Sequence, residues 1–168
     1  MSIAKSRALL YRPAPVNMLP APILYVENCP DDIELARLIF RQLKVANPLH
    51  IVRNGDEAMD YLLGRGQFGD REKCPFPGIV WLDISMPGQD GFQILETIRE
   101  TDGLRDLPVF MFSNFNEPED HERAKQLGAT GFIAKAASYK SFASWLEDLN
   151  ARLHAADHPE AAIFFNRE

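Results

Sequence analysis

Four points in the chain, each directly after a short apolar run, carry residues that could do chemistry together. Glu27 and Asn28 follow "ILYV", Asp83 follows "IVWL", Ser113 and Asn114 follow "VFMF", and Lys135 follows "GFIA". Two acids, a hydroxyl and an amine are suited to accepting a phosphoryl group, because that transfer needs positioning and charge neutralisation more than elaborate covalent machinery. In such a set Asp83 is the nucleophile. Mg²⁺ asks for near-octahedral oxygen ligands and keeps several waters; Asp83, an acid from the first run and a nearby backbone carbonyl supply such oxygens. Lys135 would neutralise phosphoryl oxygens as a point charge, and Ser113 would donate a hydrogen bond. Taken singly, Asp83 reads as a turn acid and Lys135 as a surface lysine. Their convergence carries the reading.

That convergence depends on the elements between them. The 168 residues suit one domain with a real core. Short apolar runs alternate with helical patterns: "ILYV", a helix from about Asp32, "LHIV", "DEAMDYLL", "IVWL", "GFQILETIRE", "VFMF", "PEDHERAKQL", "GFIA" and "YKSFASWLEDLNARL". This predicts five strands and five helices. The strand runs are apolar on both faces, which a parallel sheet covered by helices on both sides requires. The fold class is therefore α/β, a doubly wound five-stranded parallel sheet, whose ligands bind beyond the carboxyl ends of the strands. The first helix places Ile33, Ala36, Phe40 and Leu43 near one face, with Asp31 or Asp32 expected to accept its free N–H groups.

Around this body, residues 1–22 hold Pro13, Pro15, Pro20 and Pro22, which forbid regular helix and predict an extended leader. The domain is expected over 23–153 and a tail over 154–168. The connection from Gly64 to Gly78 is longer than most and reads as a surface excursion. Hydrophobic residues at 46% and charged ones at 25% exclude a wholly disordered or fibrous chain. Net charge is −6, and the leader holds Lys5, Arg7 and Arg12 without an acid, so the body is more acidic still and repels nucleic acid. Cys29 and Cys74 are the two cysteines, too few for a disulfide framework, which points to a reducing cytoplasm. No stretch approaches the roughly 20 apolar residues of a membrane span, so no membrane insertion is expected. Cys29 reads as a plain turn residue. His50, His121, His154 and His158 lack the paired spacing of a zinc site and read as surface or partner residues.

"ILYVENCPDD", "IVWLDISMPGQDG", "LPVFMFS" and "GATGFIAKAAS" together resemble the receiver domain of two-component response regulators, over roughly residues 22–153. The resemblance implies a flavodoxin-like fold with strand order 2-1-3-4-5 and a signalling module rather than an enzyme. It makes Asp83 the phosphoacceptor and puts Glu27 and Asn28 at the acidic-pair positions. Ser85 supplies the metal-binding carbonyl, Ser113 the switch hydroxyl, Phe132 the switch aromatic and Lys135 the site lysine. A sensor histidine kinase is the implied partner, and the face of the fourth helix, fifth strand and fifth helix the implied output. "NGDEAMDYLLGRG" and the long loop after it look most like stand-alone regulators of bacterial phytochrome kinases, which points to a bacteriophytochrome. No basic recognition helix follows the domain, which disfavours direct DNA binding.

Two positions depart from the family pattern. Asn28 stands where a carboxylate is usual and offers Mg²⁺ an oxygen without a charge, so weak metal binding is expected. Ala136 follows Lys135 where the family usually has proline after a cis peptide; cis before a non-proline costs about 2.5–4 kcal/mol, so trans is expected. Two readings stay open: a receiver phosphorylated despite Asn28, and a degenerate receiver acting as an interaction module. A flavin-binding protein is disfavoured because "ENCPDD" is no Gly/Ser/Thr-rich phosphate loop. A two-aspartate hydrolase is disfavoured because Ser85 stands two residues after Asp83. In the tail, Ile163, Phe164 and Phe165 either fold back on their own domain or pack on a second copy as a homodimer arm.

Overall fold

The computed structural model describes residues 20–114, 117–135 and 139–155. The strands are β1 (Ile23–Val26), β2 (Leu49–Val52), β3 (Ile79–Asp83), β4 (Val109–Ser113) and β5 (Gly131–Ala134). The helices are α1 (Pro30–Gln42), α2 (Gly55–Leu63), α3 (Gly91–Glu100), α4 (Pro118–Gln126) and α5 (Tyr139–Ala155). All strand pairs are parallel, in the order β2-β1-β3-β4-β5, as the resemblance implied. The leader before Pro20, the Lys135–Ala136 peptide and the apolar tail lie outside the described residues.

Strand alternation sorts the core into two layers, because successive side chains point to opposite faces. Leu24, Val26, Val80, Leu82, Val109 and Met111 face α2, α3 and α4 in one buried cluster. Ile23, Tyr25, Ile79, Trp81, Phe110 and Phe112 face α1 and α5 in the other. The second layer is aromatic: Trp81 lies edge-on to Tyr25, Phe40, Phe142 and Trp145, with ring centroids 5.3–6.0 Å apart. β1, β3 and β4 are buried along their whole length, which is why they read as unbroken apolar runs.

The start of α1 corrects one expectation. Neither Asp31 nor Asp32 is the N-cap. Cys29 is, without a side-chain cap bond, and Pro30 opens the helix, where its missing N–H costs nothing. Both aspartates sit in the first turn, favoured there by the helix dipole, so Asp32 is available to a distant partner. At α3 the local rules hold: Asp90 and Gln93 form a capping box. Gly91 is required by space, since a Cβ there would lie 2.3 Å from the Asp83 carbonyl oxygen. The helix thus begins in contact with the end of the central strand.

The Gly64–Gly78 connection is less of an excursion than expected. Phe68, Cys74 and Phe76 pack against the aliphatic layer, and one guanidinium ties the loop to α2. Arg71 donates to the carbonyls of Tyr61 at 2.7 Å, Leu62 at 2.8 Å and Cys74 at 3.1 Å, satisfying the Leu62 carbonyl near the end of α2 and adding a second bond to the Tyr61 carbonyl, which also accepts the Gly64 N–H. Arg71→Ala is expected to lower unfolding free energy by about 2 kcal/mol. Urea unfolding with an unchanged m-value checks this; a loss within error of zero would show the clamp to be idle.

Candidate functional site

The carboxyl ends of β1, β3, β4 and β5 deliver Glu27, Asp83, Ser113 and Lys135 to one place. Register does this: β3 pairs with both β1 and β4, and β4 with β5. The Lys135 backbone N–H then donates to the Ser113 carbonyl at 2.6 Å, which carries the β4–β5 ladder one step further and sets where the lysine leaves the sheet. Glu27, Asp83 and Ser113 are 0%, 2% and 1% exposed. Buried charges demand partners, and one cation serves both acids together with the partly exposed Asp32. Lys135 Nζ lies 2.6 Å from Glu27 Oε2, 2.7 Å from Asp32 Oδ2 and 3.1 Å from Asp83 Oδ1.

Each acid is held differently. Glu27 also accepts the Tyr25 hydroxyl at 3.1 Å and the Cys29 backbone N–H at 2.8 Å. Asp83 Oδ1 makes no aligned hydrogen bond, although it lies 3.1 Å from the lysine nitrogen. Burial and the neighbouring Glu27 hold the Asp83 carboxyl above its ordinary range, against the opposing pull of Lys135 and a backbone hydrogen bond from Ser85. For Lys135, burial favours the neutral amine, but hydrogen bonds to Asp32 and Glu27 and the charge of Asp83 prevail and raise its pKa. Burial, reinforced by Glu27, likewise raises the Tyr25 phenol. The lysine is therefore a fixed positive charge, and Asp83 is a carboxylate with an under-bonded oxygen, the arrangement wanted in a nucleophile.

The remaining expected residues surround this centre. Asn28 is half-buried at the end of β1, and Ser85 is exposed just past β3. Phe132 is half-buried on β5 and stacks on His121 of α4, centroids 3.9 Å apart. His50 instead packs against Tyr61. No group of three or more His, Cys, Asp or Glu side chains arranged for a metal occurs among the described residues. A cation here would rest on the carboxylates of Glu27 and Asp83 with amide, carbonyl and water oxygens, a set Mg²⁺ accepts. The under-bonded Asp83 oxygen is consistent with such a ligand.

Sequence reasoning missed two participants. Asp31 or Asp32 was expected to cap α1, whereas Asp32, in the first turn of that helix, faces the strand ends and meets Lys135. Tyr25 stands two residues before Glu27, so period-two alternation already put both on one face. A cavity of about 20 Å³ lined by Tyr25, Asp32, Leu35, Ala36, Phe112, Lys135 and Phe142 lies under the lysine. A larger groove of about 470 Å³ runs between the C-terminal part of α1 and the start of β2, at the opposite end of the sheet. No described helix is long and apolar enough to cross a membrane.

Comparison with known proteins agrees with this fold. Residues 23–161 match the family described as the response regulator receiver domain. The chain is 24% identical over 132 residues to response regulator Rcp1 of Synechocystis sp., covering 79% of this chain and 88% of that protein. The solved Mn(2+)-bound form of Rcp1 superposes with a TM-score of 0.67 at 24% identity, over 79% of this chain and 93% of that one. The bacteriophytochrome response regulator AtBRR is 34% identical, with a TM-score of 0.65 over 77% of this chain and 92% of that one. A response regulator in red light signalling of R. palustris is 26% identical, with a TM-score of 0.74 over 88% of this chain and 100% of that one.

Proposed function

The chain belongs to the response regulator receiver family, and from that premise we propose that it accepts a phosphoryl group on Asp83 from a sensor histidine kinase and signals through altered protein contacts. Receiver domains are signalling modules that work with such kinases. The observation that carries the assignment to Asp83 is its place: a buried carboxylate at the end of the central strand, 3.1 Å from Lys135 Nζ, with an oxygen that lacks an aligned hydrogen bond. An Asp83 oxygen attacks the phosphorus of a phosphohistidine. A P–O bond forms as the P–N bond breaks, and the imidazole leaves with the electron pair and takes a proton from solvent. Lys135 faces the negative charge that builds on the phosphoryl oxygens.

A divalent cation, when bound, would supply further neutralisation of that charge. Glu27, Asp83, the Asn28 amide and the Ser85 carbonyl are the oxygens that would hold it, with one carboxylate fewer than the family's usual set. Rcp1 has been solved with Mn(2+), and this chain's donor set suits the same class of ion. Ser113 at the end of β4 and Phe132 on β5 form the relay: the hydroxyl turns toward the new charge and the aromatic follows, changing the face of α4, β5 and α5. The resemblance to AtBRR and to the R. palustris red-light regulator favours a bacteriophytochrome as the kinase.

Asn28 favours a second reading, a degenerate receiver that docks without being phosphorylated. Intact mass after incubation with acetyl phosphate separates the two. A Mg²⁺-dependent gain of one phosphoryl group, absent in Asp83→Asn, is expected. No gain, under conditions that modify an Asn28→Asp version, would replace the first reading with the second.

A further inference from the structure

The lysine at the centre of the site has three N–H donors and three carboxylates around it: Glu27, Asp32 and Asp83. These are not equivalent. Glu27 and Asp83 terminate strands and are the acids a cation would draw on, and Glu27 already accepts two other hydrogen bonds. Asp32 belongs to α1, keeps 29% of its side chain exposed, and is released from capping because Cys29 occupies the N-cap. When a cation competes for Glu27, and when the Asp83 carboxylate becomes an acyl phosphate, Asp32 alone among the three keeps its bond to the ammonium.

The lysine needs such an anchor. Its side chain borders the 20 Å³ cavity shared with Tyr25, Phe112 and Phe142, so close packing does not surround it on that side, and a four-carbon stem is flexible. The carboxylate on α1 offers what packing does not, a charge-assisted bond of 2.7 Å from a helix docked on the aromatic layer.

Building on the assignment of Asp83 as phosphoacceptor, we propose that Asp32 is a positioning residue: it aims Lys135 at Asp83 and holds it there while Glu27 turns to the cation. It acts through the lysine and is not itself a cation ligand. A misaimed ammonium costs rate, because electrostatic help depends on the donor being in place before charge develops.

Two measurements on the full chain test this. With acetyl phosphate as donor, initial phosphorylation rates are read by intact mass across a Mg²⁺ titration for the wild type, Asp32→Asn, Asp32→Glu, Lys135→Gln and the Asp32→Asn/Lys135→Gln double variant. Asp32→Asn is expected to slow the rate at saturating Mg²⁺ about tenfold or more, the scale of one lost charged hydrogen bond, with the Mg²⁺ half-saturation point unmoved. Asp32→Glu restores most of the rate, and Asp32→Asn adds no loss to Lys135→Gln. Independent losses in the double variant, or a shifted half-saturation point at unchanged maximal rate, would overturn the proposal. The second measurement needs no phosphorylation and so separates failure here from failure of the Asp83 assignment. In side-chain nitrogen NMR, the slowly exchanging Lys135 ammonium signal should survive Mg²⁺ in the wild type and vanish in Asp32→Asn. Survival in the variant, or loss from the wild type, overturns the proposal whether or not Asp83 takes a phosphoryl group.

Discussion

Lys135→Met lowers the unfolding free energy by about 3–5 kcal/mol at neutral pH, the scale on which removing one partner strands buried charges. Glu27 and Asp83, almost wholly inaccessible, are left without their cation, and Asp32 loses its 2.7 Å partner. The pH dependence carries a sign that identifies the cause. In the wild type the Lys135 pKa is raised, so its stabilisation is fully present below the ordinary lysine value and is lost as pH climbs through the higher, folded one. In the variant, Asp83 loses the charge that opposed its upward shift. The native state already binds this proton more readily than the unfolded chain and in the variant does so more strongly, so the rise in stability as pH falls through the folded-state value of Asp83 must be larger than in the wild type. Urea unfolding at a series of pH values reads both effects. A loss under about 1 kcal/mol with a flat acid limb would mean that water, rather than the lysine, screens these acids.

Asn28→Asp is expected to tighten Mg²⁺ or Mn²⁺ binding by about tenfold, equivalent to 1.4 kcal/mol, by adding a formal charge beside Glu27 where the amide offers a neutral oxygen. The same change should cost metal-free stability about 1 kcal/mol, because a further acid joins Glu27, Asp32 and Asp83 around one lysine. The two effects have opposite signs and one origin. Calorimetric titration gives the affinity, and thermal unfolding with and without the ion gives the stability. Unchanged affinity would place the ion away from residue 28 and remove the reason to regard Asn28 as a weakening substitution.

The strands and helices were legible because each obeys a local rule. "IVWL" and "VFMF" are apolar throughout since both faces are buried, and "GFQILETIRE" matches α3 from end to end because its capping box lies in the four residues that start it. The strand-end residues were legible for the same reason, as each directly follows its run. Asp32 was not. Its partner Lys135 is 103 positions away, and from sequence alone the local preference of aspartate for a helix N-cap looked like a sufficient account of it. The tertiary ion pair prevailed because Glu27, by accepting the Cys29 N–H, had already satisfied the turn. Arg71 was hidden for a like reason: a loop arginine gives no sign in sequence of the carbonyls it will reach.

The contact between Gly91 and the end of β3 has a consequence for how the domain tolerates change. With the Asp83 carbonyl oxygen 2.3 Å from where a Cβ would stand, even alanine forces α3 and the central strand apart, displacing the backbone of Asp83. In a saturation-mutagenesis library scored for signalling, position 91 should be as intolerant as position 83 itself. The two would fail for unrelated reasons, one for want of a carboxylate and the other for want of room. A glycine with no chemistry of its own thus enters the list of residues on which the output depends.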